Sequence, residues 1–183
     1  MGWGLIAITV AALGALVLLY NRLVRLRQMA TNGWSDIEVQ LKRRADLIPA
    51  LIDTVKAYAK HEKQLFADIT ERRATALNAG EDPQARGVAE GALAAPVRKL
   101  VAIAESYPDL KANQNFLDLQ RELAETEDKI EMSRRFYNGA VRSLNTAIQT
   151  FPSNLVARIF GFITKDYFEI SDRDALRPDV DFS

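Results

Sequence analysis

The feature that most constrains this chain is an uncharged N-terminal stretch, WGLIAITVAALGALVLLY, from Trp3 to Tyr20. An α-helix rises 1.5 Å per residue, so about 20 residues cross the roughly 30 Å hydrocarbon layer of a bilayer. Trp3 and Tyr20 bracket the stretch, as expected of aromatic side chains at the membrane–water interface. The sequence therefore predicts a single transmembrane helix, with residues 1–21 as the anchor.

A cleaved signal peptide is the rival interpretation of this stretch. No lysine or arginine precedes the apolar run, and no small-x-small cleavage site with a polar stop follows it. No proline occurs between Trp3 and Ala30, so the helical pattern continues past Tyr20. These observations favour a retained anchor that runs directly into the first helix of the following domain.

Three arginines, Arg22, Arg25 and Arg27, follow the apolar stretch. The positive-inside rule then predicts a cytoplasmic C-terminal domain on a bacterial inner membrane. A signal-anchor with the domain outside is the alternative. The same arginines are expected at the headgroup level, where each basic residue contributes about 1 kcal/mol of attraction to anionic lipid.

Composition narrows the chemistry of the chain. The 24 basic and 24 acidic residues balance, which disfavours a generic nucleic-acid binder. Cysteine is absent, which excludes disulfides, thiolate catalysis and cysteine-ligated metals. His61 is the single histidine, and Leu65 stands where a zinc-protease motif needs its second one. We expect no enzyme activity, no catalytic residue, no metal and no cofactor.

The remainder is predicted to be all-α, an antiparallel four-helix bundle over residues 22–152. Its helices are expected at about 22–45, 46–79, 83–106 and 113–151. The first break is placed near Arg44, with Asp46 as the cap of the next helix, because proline is tolerated in a first turn and Pro49 would then lie there. A sharp kink at Pro49 is the alternative.

The last predicted helix has the clearest apolar repeat of the chain. Its seam recurs in steps of three and four, as in a bundle or coiled coil. The seam consists of Phe116, Leu119, Leu123, Thr126, Ile130, Ser133, Tyr137, Ala140, Leu144, Ala147 and Phe151. Tyr137 lies on this seam, so its hydroxyl group needs a buried hydrogen-bond partner.

The tail, residues 153–183, combines a short apolar helix with an acidic end. The apolar stretch NLVARIFGFI covers 154–163, and Asp172, Asp174, Asp179 and Asp181 follow further on. The apolar part is expected either to strap the bundle, or to lie on the membrane or in a groove of a neighbouring subunit. The acidic end is expected to be disordered on its own.

Charged and aromatic side chains supply candidate docking residues. Lys42, Arg43 and Arg44 form a basic run. Its functional interpretation is a docking site for an acidic partner or for lipid headgroups. The structural one is a solvated face, salt-bridged to the acidic side of the last helix. The candidates are Lys42, Arg43, Arg44, Arg134, Arg135, Phe151, Phe160, Phe162, Tyr167 and Phe168. Structural packing is the competing role for those in and after the last helix.

Three long stretches resemble the LemA family of bacterial membrane-anchored proteins. They are YNRLVRLR at 20–27, NGWSDIEVQLKRRADLIPALIDTVKAYAKHEK at 32–63, and YPDLKANQNFLDLQRELAETEDKIEMSRRFYNGAVRSLNTAIQTFPSNLVARIFGF at 107–162. The resemblance implies a helical bundle behind one transmembrane helix, and no established catalytic activity. Some relatives are associated with magnetosome membranes. Members of the family also often occur near membrane-bound zinc proteases of the HtpX type.

The functional hypothesis is a non-enzymatic, membrane-anchored scaffold or adaptor. It would self-associate, as a homo-oligomer, or dock partner proteins at the inner-membrane surface, in contact with membrane lipid and not with nucleic acid. One alternative is an accessory or regulatory subunit of a membrane-bound metalloprotease such as an HtpX-type protease. A second alternative is a membrane-organising or membrane-shaping protein.

Overall fold

The computed structural model describes residues 2–170, and within that range the chain is all-α with no strand. The acidic residues Asp172, Asp174, Asp179 and Asp181 lie outside the described residues. The helices are α1 (Gly2–Lys56), α2 (Lys63–Leu77), α3 (Pro83–Glu105), α4 (Pro108–Lys111), α5 (Gln114–Gln149) and α6 (Ser153–Ile159). The helices predicted at 83–106 and 113–151 agree closely with α3 and α5.

The described residues fall into two compact units. The anchor unit contains residues 2–37 and 132–167, and the bundle unit contains residues 38–131 and 168–170. The units therefore do not follow the expected division into 1–21, 22–152 and 153–183. Each long helix, α1 and α5, contributes residues to both units, which apolar periodicity alone does not reveal.

The predicted helix break near Arg44 is wrong, because α1 continues through Pro49 to Lys56. Proline has no N–H group, so within a helix it leaves the carbonyl four residues earlier without its usual donor. Here that carbonyl belongs to Ala45, and Arg73 Nε from α2 donates to it at 2.5 Å. A side chain from another helix thus replaces the missing backbone bond. The true break comes at residues 57–62.

The same arrangement recurs at the second internal proline of the bundle unit. Pro96 lies inside α3 and frees the carbonyl of Ala92. Arg72 Nη1 donates to that oxygen at 3.3 Å, while its Nε pairs with Asp68. Neighbouring arginines of α2 therefore compensate one proline in α1 and one in α3.

The core of the bundle unit takes apolar residues from α1, α2, α3, α4 and α5. Its largest fully buried side chains include Ile48, Ile69, Leu93, Leu110 and Phe116. Each of these five comes from a different helix. The periodic apolar faces predicted for a bundle thus converge on one core.

In the anchor unit, α1 and α5 approach each other closely at Gly33. A Cβ atom there would lie 3.0 Å from Phe136 Cδ1 and 3.1 Å from the backbone Cα of Tyr137. The Trp34 and Tyr137 rings pack with centroids 5.5 Å apart. The Tyr137 hydroxyl donates to the Asp166 carbonyl at 2.8 Å, which supplies the buried partner expected from the sequence.

The chain after α6 is tied to α5 by a reciprocal pair of hydrogen bonds. Asn145 Nδ2 donates to the Lys165 carbonyl, and the Lys165 backbone N–H donates to Asn145 Oδ1, both at 2.9 Å. An asparagine amide bonds an extended backbone in the same way that a neighbouring strand would. Within the anchor unit, this segment is therefore a strap fixed along α5.

We predict that the contribution of Arg73 depends on the proline it compensates. Arg73→Met leaves the buried Ala45 carbonyl without a donor and should lower the free energy of unfolding by about 1–3 kcal/mol. In a Pro49→Ala background the restored N–H of residue 49 donates to the Ala45 carbonyl, so Arg73→Met should lower the free energy of unfolding by clearly less. Urea unfolding of the detergent-solubilised chain, followed by circular dichroism, measures both costs.

Asp46→Asn is the matched control for this cycle, because Arg73 also lies 3.9 Å from the half-exposed Asp46 carboxylate. That change should cost under about 1 kcal/mol, as is typical of exposed ion pairs. An equal cost of Arg73→Met in both backgrounds would show that the carbonyl bond is not what Arg73 supplies.

Candidate functional site

A buried guanidinium group, that of Arg44, stands at the centre of the bundle unit. Only 2% of its side chain is exposed, and it pairs with Glu90 of α3 and with Glu127 of α5, the latter at 2.9 Å. Arg86 Nε donates to the other oxygen of Glu90 at 3.0 Å. Two positive and two negative side chains therefore neutralise one another across three helices.

The charge state of Arg44 follows from these neighbours. Burial on its own would lower the pKa of Arg44, but the carboxylates of Glu127 and Glu90, through charge and hydrogen bonds, raise it above its ordinary value. A group whose folded pKa is raised stabilises the fold below that pKa and loses this effect only as pH rises through it. Arg44 is consequently charged throughout the physiological pH range.

Arg44 is thus buried inside the fold and does not belong to a docking surface, which corrects its assignment from the sequence. Its neighbours in the basic run differ from it. Arg43 is exposed and lies 3.7 Å from Glu122 of α5, and Lys42 is exposed and pairs with Asp46 at 3.2 Å. The bonds to α5 match the salt-bridged interpretation of this run.

We predict that Arg44→Met lowers the free energy of unfolding by about 3–5 kcal/mol, because removing one partner of a buried ion pair leaves an uncompensated charge. The adjacent Arg43→Met, which removes an exposed pair, should cost under about 1 kcal/mol. Chemical denaturation of the purified full chain compares the two. Similar costs for the two variants would contradict the structural role of Arg44.

A groove opens between α3 and α5 in the bundle unit, with a volume of about 590 Å³. Its floor is apolar and made largely of small side chains. The lining residues are Ala94, Val97, Arg98, Val101, Ala102, Glu105, Gln120, Leu123, Ala124 and Glu127. Gln120 Nε2 donates to Glu105 Oε1 at 3.1 Å, so α5 is bonded to α3 at the polar edge.

The sequence reasoning missed this groove and the acidic half of the charged cluster. One signal was available, because Arg86 and Glu90 lie four residues apart and form a favourable pair on a helix otherwise rich in alanine. Alanines at helical spacing also indicate a helix face with small side chains, beside which a groove can form. Neither signal identifies the second helix that completes the site.

The aromatic candidates of the tail divide into buried and exposed side chains. Phe162 and Phe168 are buried, at 8% and 0% exposure, so they are not available for docking. Phe151, Phe160 and Tyr167 remain exposed. Packing, the competing interpretation from the sequence, therefore applies to two of the five.

Phe168 belongs to the bundle unit and is fully buried. The following carbonyl, that of Glu169, lies against Gly87 of α3, where a Cβ atom would stand only 2.1 Å from the oxygen. Such a distance excludes any side chain at position 87. Gly87 thus lets the Glu169 backbone approach α3 within the bundle unit.

The arginines of the docking set on α5 lie in the anchor unit. Arg134 is half-buried and Arg135 is exposed. The two lie in the same turn of the helix as Tyr137. Their role in recognition stays a prediction.

The predicted membrane-interface residues lie on α1. Residues 2–15 are exposed throughout, Trp3 among them, and this end of α1 is long and apolar enough to cross a membrane. Tyr20 packs its ring 4.8 Å from Phe160 and 5.8 Å from Phe162. Arg22, Arg25 and Arg27 are exposed, and Arg27 lies 5.1 Å from the Phe162 ring centroid, a cation–π distance.

Known proteins resemble this chain over most of its length. A family model described as the LemA family matches residues 33–182. Protein LemA of Metamycoplasma hominis is 29% identical over 163 residues, which cover 89% of this chain and 74% of that protein. Magnetosome protein MamQ 2 of Paramagnetospirillum magneticum and magnetosome protein MamQ of Magnetospirillum gryphiswaldense are each 25% identical, and the matches cover 87% of this chain and 68% of each relative.

Proposed function

The chain belongs to the LemA family, and on that basis we propose that it is a non-enzymatic, membrane-anchored scaffold. It docks partner proteins at the cytoplasmic surface of the bacterial inner membrane. The proposal combines two parts of the molecule. The apolar end of α1 supplies the anchor, and the groove between α3 and α5 supplies the docking surface.

The groove is the observation that carries the docking role. Its volume of about 590 Å³ is lined mainly by alanine, valine and leucine side chains. Proteins commonly bind an amphipathic helix by laying its apolar face into such a groove. The polar edge at Glu105 and Gln120 would orient a partner whose flanking side chains are polar. An amphipathic helix of a partner protein is the occupant we propose.

The anchor supports the cytoplasmic placement through its flanking charge. Arg22, Arg25 and Arg27 are exposed at the C-terminal end of the apolar stretch, where they meet lipid headgroups on the side that retains positive charge.

We predict that the bundle unit is shielded by the membrane in intact spheroplasts. Because the chain has no cysteine, an Ala67→Cys variant, at an exposed position of α2, provides a unique thiol. A membrane-impermeant maleimide should label it only after lysis. A Gly2→Cys variant, at the other end of the anchor, should be labelled before lysis. The reversed pattern would place the domain on the outside.

We predict that a photo-crosslinker on an Ala124→Cys variant, within the groove, captures a specific partner in native membranes. An Ala102→Cys variant on the opposite wall should capture the same partner. Ala67→Cys is the matched control, being an exposed alanine of the same unit outside the groove. Filling the groove with Ala102→Trp should abolish the adduct formed from position 124.

Mass spectrometry of the adduct then identifies the occupant. A second copy of this chain supports self-association, and a membrane-bound zinc protease of the HtpX type supports an accessory role in proteolysis. Docking through the groove would be refuted if positions 124 and 67 gave the same adducts, or if neither gave any.

A further inference from the structure

Beside the anchor, α6 carries an apolar face that the anchor unit leaves uncovered. Leu155 and Ile159 lie one turn apart on it and are 52% and 70% exposed. Phe151 before the helix and Ile163 after it are each 79% exposed. Monomeric soluble surfaces rarely keep so many large apolar side chains together in water.

The opposite face of α6 fixes where this apolar face lies. Val156 and Ala157 are buried in a cluster with Leu23 of α1, and Leu16 and Leu19 pack against the same cluster. Leu16 and Leu19 belong to the uncharged stretch of α1. The helix α6 is therefore docked at the end of the apolar span, where a bilayer changes from hydrocarbon to headgroup.

The turn after α6 determines which of the following apolar side chains are buried and which are exposed. Gly161 has φ +68°, and the Phe162 N–H bonds the Ala157 carbonyl at 2.9 Å, the Schellman pattern that ends a helix. This turn directs Phe162 into the buried cluster, while Phe160 and Ile163 stay exposed. Two apolar residues next to a buried one thus extend the exposed face.

Basic side chains accompany this apolar face. Arg22, Arg25 and Arg27 of α1 and Arg158 of α6 are all exposed. Apolar residues next to arginines are the composition of helices that lie in the membrane interface and bind anionic headgroups.

We propose that α6, with Phe151, Phe160 and Ile163, is seated in the lipid interface as a second membrane contact beside the transmembrane helix. The bilayer itself is the occupant of the exposed face. The proposal rests on the membrane anchoring proposed above and is independent of the groove. It gives the anchor unit two points of attachment, one spanning and one interfacial.

The test places an environment-sensitive fluorophore on single-cysteine variants of the full chain in phospholipid vesicles containing phosphatidylglycerol. On an Ile159→Cys variant, emission should shift to the blue, iodide quenching should fall several-fold, and nitroxide-labelled lipid should quench strongly. Leu155→Cys, on the same face, should behave alike and serves if the first variant does not fold.

Met132→Cys is the matched control, since Met132 is also an exposed apolar residue of the anchor unit. It lies 17 residues before Gln149 along α5, or about 25 Å at 1.5 Å per residue. Its probe should be open to iodide and insensitive to the nitroxide lipid. A Val10→Cys variant reports on the span itself and should be quenched only by lipid.

The outcomes separate this proposal from the anchoring on which it depends. If position 10 is buried in lipid and positions 155 and 159 stay open to iodide, the interfacial contact is refuted and the anchor stands. If position 10 is also open to iodide, the anchoring itself fails. Protection at 159 that is lost on diluting the protein in lipid means that a second copy covers the face, which also overturns the proposal.

Discussion

The buried guanidinium of Arg44 is the constraint on which the bundle unit depends. A charge removed from water is tolerated only where opposite charges and hydrogen bonds replace the lost solvation. Glu90 and Glu127 come from two other helices, so α1, α3 and α5 must meet in one register for the charges to balance. Burial of apolar side chains stabilises this core, while the ion cluster disfavours alternative packings that would leave a buried charge without a partner.

Much of the fold was predictable from local patterns, because those patterns reflect local physics. The long apolar N-terminal helix follows from length and hydropathy, and the seam of α5 follows from its repeat, with Phe116, Tyr137 and Leu144 buried as predicted. Phe151 departs from the seam and is exposed, because α5 ends at Gln149 before the repeat reaches it.

The remainder depended on partners distant in sequence. Arg73 is 28 residues from the carbonyl that lets α1 pass through Pro49, and Glu127 is 83 residues from Arg44. A single sequence carries no signal for such pairs, so local patterns predict a helix break at the internal Pro49 and an exposed side chain for the buried Arg44. The candidate groove could not be predicted from the sequence for the same reason, because each of its two walls has the pattern of an ordinary helix face.

The two adjacent arginines of α2 also have a consequence for how the chain folds. Proline interrupts both α1 and α3, and in each the missing hydrogen bond is supplied only when α2 is in place. Local helix formation and long-range docking are therefore coupled rather than successive. Helix α2 thus has a second role besides its packing in the core, because it completes the backbone hydrogen bonding of α1 and α3 at their internal prolines.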